Sequence, residues 1–136
     1  MSEYRLTERL AYEATHDPLT DLANRSLFLS RLAQALADPT PGARVGLCLL
    51  DLDSFKVIND SLGHTVGDRL LTAVADRLTG AVAGAGGSAL VARLGGDEFC
   101  VLLPGALGDD AREVRRAVDA LSEHGDGFSI SASFGL

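Results

Sequence analysis

Long apolar runs, clustered basic residues and metal-style cysteine spacing are all missing from this 136-residue chain. No run approaches the ~20 apolar residues that a membrane span needs, and the opening MSEYRLTERL is charged where a signal peptide has its apolar centre. The expected location is cytoplasmic, without direct membrane insertion by this segment, although a longer parent can be membrane-anchored. Positive charge is scarce: 12 Lys plus Arg against 19 Asp plus Glu leave a net charge of -7. That balance argues against a nucleic-acid partner or a general anionic-lipid surface, which displays clustered Lys and Arg. An anionic ligand then needs local help, such as a metal ion. Only two cysteines occur, Cys48 and Cys100, both inside apolar strand-like runs and away from any CxxC spacing. They read as small buried hydrophobes in a reducing compartment. What remains is 46% hydrophobic and 23% charged, in a length that buries roughly two-thirds of its unfolded surface, so one domain around one core is expected.

Residues 3 to 15 repeat Leu6, Leu10 and Ala14 at four-residue intervals, which predicts a short helix with a thin apolar stripe, the stub of a connecting helix spanning 1–15. The domain proper is expected over 16–136. Pro18 disfavours helical geometry at Asp17, and Asn24 is a good N-cap for a helix with Phe28, Leu32 and Leu36 on one face, ending near Asp38. RVGLCLLDLD (44–53) is a nearly continuous apolar run ending in two carboxylates, the pattern of a strand covered on both faces with its polar end at a site. SFKVINDSLGHTVGD mixes turn formers with apolar residues; Leu70, Leu71, Val74 and Leu78 then mark an amphipathic helix, closed by a loose loop at Gly80, Gly84, Gly86 and Gly87. SALVARL and EFCVLL flank Gly95, Gly96 and Asp97, a hairpin signal, with Phe99, Val101 and Leu103 as one core face. Asp109 or Asp110 can cap a further helix carrying Val114, Val118 and Leu121, and FSISASFGL alternates as a last strand. The order α-β-α-β-β-α-β predicts an α/β (α+β) fold, an antiparallel-containing sheet with helices on one face, of the ferredoxin-like or polymerase-palm type.

The chemistry concentrates at two strand ends, Asp51-Leu52-Asp53 and Asp97-Glu98. If the hairpin lies beside the first strand, up to four carboxylates meet at one sheet edge, an oxygen-rich setting for Mg²⁺ or Mn²⁺ rather than zinc. A single strand-end Asp is usually a solvated turn former; two acidic clusters at converging ends are harder to dismiss. DLDSFKVINDSL begins like a calcium loop but has Lys56 at the sixth position and Leu62 at the twelfth, so that reading is set aside. No GxxxxGK[ST], dinucleotide fingerprint or nucleophile triad occurs. His16 and His124 read as surface residues. Lys56 alone would be an ordinary surface lysine, and Asn59 and Asp68 alone would be turn or cap residues.

LVARLGGDEFCVLL resembles the signature hairpin of the GGDEF diguanylate cyclases, and DPLTDLANR (17–25), DLDSFKVINDSLGHTVGD (51–68) and ISASFGL (130–136) match that family in the same order. The resemblance runs from about Asp17 to the end. It implies a nucleotide cyclase-like palm domain that condenses two GTP molecules into cyclic di-GMP, releasing pyrophosphate, in bacterial second-messenger signalling. Each of two facing domains would present one GTP. By position Asp51 resembles the carboxylate metal ligand, Leu52 adds a backbone carbonyl, and Asp97 is the second ligand and proposed base for the attacking 3'-hydroxyl, with Glu98 beside it. Asn59 and Asp68 resemble the pair that reads guanine, with His64 in the same segment. Lys56 resembles the lysine that steadies the phosphates together with amides around Phe55, while Gly95 and Gly96 let phosphate approach the backbone. The chemistry is consistent in itself. Attack on an α-phosphate benefits from metal ions, and an aspartate can accept from guanine N1 and N2 while an asparagine amide donates to ring acceptors.

Two departures from the family pattern stand out. Gly86-Gly87-Ser88-Ala89 carries neither Arg nor Asp where many members have an RxxD product site, so feedback inhibition through it is expected to be absent. The sequence also stops after the SxG strand, so the domain is expected to be incomplete at its C-terminus, lacking a helix with basic residues and a final strand. Rival readings are a catalytically silent GTP-binding regulatory module beside a sensor or phosphodiesterase domain, and a structural or dimerising domain. The stripe on residues 3–15 is too short to hold a coiled coil alone.

Overall fold

In the computed structural model, residues 3–39, 45–53, 55–83, 89–104, 116 and 129–135 are described, with backbone alone for 3, 4, 53, 104 and 129–135. Helix α1 (Glu3–Glu13) carries the thin stripe expected of it, and Leu6 and Leu10 stay exposed. The helix ends five residues before Pro18, and the chain then passes through Asp21 at a left-handed φ of 61°. Helix α2 (Arg25–Leu36) then starts where the sequence places its cap: the Asn24 side chain accepts from the Leu27 amide at 3.0 Å. Phe28 is buried, but Leu36 is 68% exposed, so the apolar face narrows toward the helix end.

Strand β1 (Val45–Asp53) leads into α3 (Phe55–Leu62) and α4 (His64–Ala83). The turn formers between 55 and 68 thus fold as two helices. The reason is a single break at Gly63, which takes φ +92° and donates its amide to the Asn59 carbonyl at 3.0 Å, a left-handed helix cap that needs glycine. Strands β2 (Leu90–Gly95) and β3 (Glu98–Pro104) form the expected hairpin, closed by Gly96 and Asp97 with Gly96 at φ +27°. The register slips between Arg93 and Gly95, leaving Leu94 as an extra residue that bends the strand into the turn. Strand β4 (Ser129–Gly135) completes the sheet.

The strand order is β2-β3-β1-β4 with all neighbouring strands antiparallel, the ferredoxin-like arrangement that the sequence implied. Helices cover both faces, not one. On one side Leu71, Val74, Ala75, Leu78 and Val82 of α4 meet Cys48, Leu50, Leu52, Phe99, Val101 and Leu103. On the other, Ala23 and Phe28 meet Ala92, Cys100 and Leu102. The cause is β3 itself, whose alternate residues are apolar on both sides, so that one helix layer would leave a face wet. Cys48 and Cys100 are both fully buried thiols, as their setting implied. The expected helix over 109–121 lies outside the described residues apart from a helical Arg116, as do Gly84, Gly86 and Gly87, whereas Gly80 does not close α4 but lies inside it. No described helix is long and apolar enough to cross a membrane.

Candidate active site

The end of β1 meets the hairpin turn through backbone pairing. Asp51 stands directly opposite Glu98 in the antiparallel register, with Ser131 of β4 on its other side. One residue further, the Leu52 amide donates to the Asp97 carbonyl at 3.2 Å. Directly opposed residues have Cβ atoms about 4.5–5.5 Å apart, so the register puts two carboxylates side by side. Asp51 and Glu98 are exposed and Asp97 is half-buried, an edge open to a ligand. The juxtaposition differs in detail from a pairing of Asp51 with Asp97: the tight two-residue turn puts Glu98 across from Asp51 and leaves Asp97 in the turn, across from Leu52.

The turn is braced from behind. Arg93 donates from Nε and Nη2 to the Gly96 carbonyl at 3.0 and 2.8 Å, and from Nη1 to both Asp17 oxygens at 3.1 and 3.2 Å. Asp17 also accepts from the Thr20 amide at 2.9 Å and the Thr20 hydroxyl at 2.7 Å. Partial burial works to raise the Asp17 pKa, but the Thr20 donors and the Arg93 guanidinium outweigh it and hold the carboxyl below its ordinary value. The Arg93 amide bonds the Ala23 carbonyl at 2.9 Å, so DPLTDLANR lies along the free edge of β2. The same segment is tied to α1. Tyr12 bonds Asp21, and its ring stacks on His16 with centroids 3.7 Å apart. His16 is accordingly half-buried rather than a surface residue. Neither Asp17 nor Arg93 was singled out from sequence; opposite charges in two of the matching motifs were the only signal.

Beyond β1, Phe55 is half-buried against the core and Lys56 is exposed in the first turn of α3. Asn59 lies inside α3, and His64 and Asp68 in the first turns of α4. They are helix residues, which removes the plain turn reading for Asn59 and Asp68. Asn59 Nδ2 and His64 Nδ1 are 2.9 Å apart, so His64 faces Asn59. Asp68 is exposed.

The donor set at the sheet edge consists of hard oxygens alone, which suits Mg²⁺ or Mn²⁺. Among the described residues no three His, Cys, Asp or Glu side chains converge on one point.

The sequence matches the family profile for "Diguanylate cyclase, GGDEF domain" over residues 14–135. It is 43% identical over 130 residues to diguanylate cyclase TpbB of Pseudomonas aeruginosa, covering 91% of this chain and 29% of that protein. It is 38% identical over 122 residues to the probable diguanylate cyclase DgcE of Escherichia coli, covering 88% of this chain and 11% of that one. Among solved structures, the GGDEF domain of TpbB superposes with a TM-score of 0.74 at 40% identity, over 88% of this chain and 73% of that one. The coiled coil and GGDEF domain of DgcB from Caulobacter crescentus, solved with c-di-GMP, gives a TM-score of 0.79 at 29% identity over 96% of this chain and 73% of that one. The described chain thus has the palm fold of the nucleotide cyclases, spans under a third of the length of these curated relatives, and belongs to the GGDEF family of diguanylate cyclases, which work with a metal ion.

Proposed function

We propose that this chain is a diguanylate cyclase domain that binds GTP at the β1 and hairpin edge and condenses two GTP molecules into cyclic di-GMP. The observation that carries the reading is the direct opposition of Asp51 and Glu98 beside a glycine turn. Like charges so placed repel unless a cation lies between them. Asp51, the Leu52 carbonyl, Asp97 and Glu98 would hold Mg²⁺ or Mn²⁺. When bound, that cation neutralises charge on the triphosphate and lowers the barrier to losing pyrophosphate. Asp97 accepts the 3'-hydroxyl proton as the oxygen bonds to the α-phosphorus of the other GTP and the bond to the β-phosphate breaks, releasing pyrophosphate. A second, reciprocal attack closes the ring.

The remaining residues bind and orient. The first-turn amides of α3 near Phe55 have no intrahelical partner and can meet phosphate oxygens, with Lys56 in the same turn. Gly95 and Gly96 leave the turn exposed to close approach. Asn59 and Asp68 read the guanine edge. One edge accommodates one triphosphate, so two copies of the domain must face each other. Sensor or phosphodiesterase domains in a longer, cytoplasmic parent would control that encounter. The intact acidic pair speaks against a silent GTP-binding module.

Calorimetry with GTP in Mg²⁺ and in EDTA tests the site, because equal affinity in the two would sink the metal assignment. Chromatographic detection of cyclic di-GMP from GTP and Mg²⁺ tests turnover, with Asp97→Asn expected to abolish the product. Asp68→Ala should weaken GTP by about 1–3 kcal/mol, the cost of leaving donors unpaired, and hardly change ATP.

A further inference from the structure

We infer that Gly67 and His64 are positioning residues that fix the Asn59 amide in one orientation, and that guanine selectivity depends on both. The inference rests on the reading of Asn59 as a guanine contact. Two independent contacts carry it. Gly67 is buried, and a Cβ built on it would collide with Asn59 Oδ1 and stand 3.1 Å from Asn59 Cγ and 3.4 Å from Phe55 Cε2. The Asn59 amide therefore aims its Oδ1 at the backbone of Gly67, into space that any other residue at 67 would fill. At the other end of the same amide, Asn59 Nδ2 is 2.9 Å from His64 Nδ1.

The orientation follows from donor and acceptor matching. An amide nitrogen can only donate, so Nδ1 of His64 accepts and the ring carries its proton on Nε2. One Nδ2 hydrogen is thereby spent on His64 and the other remains for a base acceptor, while Oδ1 stays over Gly67. The backbone of Asn59 is held as well, since its carbonyl receives the Gly63 amide in the helix cap. An asparagine left to rotate would present its oxygen and its nitrogen to the base in turn, and an acceptor facing a guanine acceptor forfeits the discrimination. His64 then belongs behind the base contact rather than in it.

The test uses the full chain in Mg²⁺ with two readouts. Calorimetry gives the ratio of GTP to ATP affinity for the parent, Asn59→Ala, Gly67→Ala, His64→Ala, His64→Asn and the double Gly67→Ala/Asn59→Ala. Each of the three alanine singles should lower the ratio roughly tenfold, equivalent to 1.4 kcal/mol. The double should fall no further than Asn59→Ala, because Gly67 acts through Asn59. His64→Asn, whose Oδ1 can accept in place of Nδ1, should recover part of the ratio. Nitrogen NMR gives the second readout: the His64 ring should show an unprotonated, accepting Nδ1 that is lost in Asn59→Ala. Losses that multiply in the double, or a Nδ1-protonated ring in the parent, overturn the positioning role. An unchanged ratio in Asn59→Ala with the expected ring tautomer overturns the guanine reading instead. Should Gly67→Ala fail to fold, exposed His64 keeps the question open to refutation through its own two variants.

Discussion

Arg93 and Asp17 tie the DPLTDLANR segment to the hairpin turn: Nη1 of Arg93 is 3.1 Å from Oδ1 of Asp17, while the other nitrogens of the same guanidinium close on the Gly96 carbonyl. Both side chains are only 16% exposed, so the pair is shielded from much of the screening that weakens surface ion pairs. Arg93→Ala should destabilise the chain by about 1.5–3 kcal/mol, the range for hydrogen bonds to a charged group, and should weaken Mg²⁺-dependent GTP binding by loosening the turn. Arg93→Lys should rescue little, since an ammonium cannot span Asp17 and Gly96 with a planar fork. Urea unfolding and calorimetry measure the two effects.

Acid should undo the same link in a predictable order. The Asp17 carboxyl is held below its ordinary value of 3.8 in the folded chain. A depressed folded pKa means that its stabilisation is fully present above the unfolded pKa and disappears as pH falls through the folded one. The stability difference between the parent and Asp17→Asn should therefore be flat from neutrality to about pH 5 and shrink below about pH 4, followed by urea unfolding at stepped pH.

Removing one carboxylate of the opposed pair should stabilise the chain without metal. Asp51→Asn is expected to raise unfolding free energy in EDTA by roughly 0.2–1 kcal/mol, the cost of like charges directly across a strand pair, and to abolish the stabilisation that Mg²⁺ with GTP gives the parent. Thermal denaturation under the two conditions reads both signs.

Gly63→Ala should cost roughly 1–2 kcal/mol, because a Cβ at φ +92° clashes with its own backbone even though no neighbour lies within 4 Å. Gly63→Asn should cost less. Denaturant unfolding of the two variants gives the comparison.

Much of this architecture is legible in short stretches of sequence. Asn24 announces a helix start because its cap is made three residues away, and Phe99, Val101 and Leu103 announce a core face because strand alternation is local. The GGD turn is equally local. Residues 55–68 are less legible: Asn59, Asp60, Ser61 and Gly63 are individually turn formers, and only the packing of α3 on α4 and one glycine cap make two helices of them. Helices on both faces follow from Cys100 and Leu102 being as buried as their neighbours, which an apolar run does not advertise. The Arg93 link to Asp17 crosses most of the chain, and no pattern within either segment points to the other. The approach of Asn59 to Gly67 likewise depends on the angle at which α3 meets α4.

Burial pushes the Cys100 thiol up to about 12, with a smaller contribution from Cys48 nearby. Both sulfurs should resist iodoacetamide in the native chain and react promptly in denaturant, as read by mass spectrometry.

The position of β1 in the sheet has a consequence for how the chain is made. Its two neighbours come late in the sequence: Val45 pairs with Pro104, and Leu47 with Gly135. On a ribosome β1 emerges early and waits with both edges unpaired, an apolar ribbon able to join another chain's ribbon. Its pairing must close long loops, so folding should be slow for a domain of this size. The carboxylates that end β1 act in this interval as gatekeepers, since charges flanking an apolar strand discourage its association with a second nascent copy. The acidic edge that would receive nucleotide in the finished protein thus also guards the strand until its partners arrive.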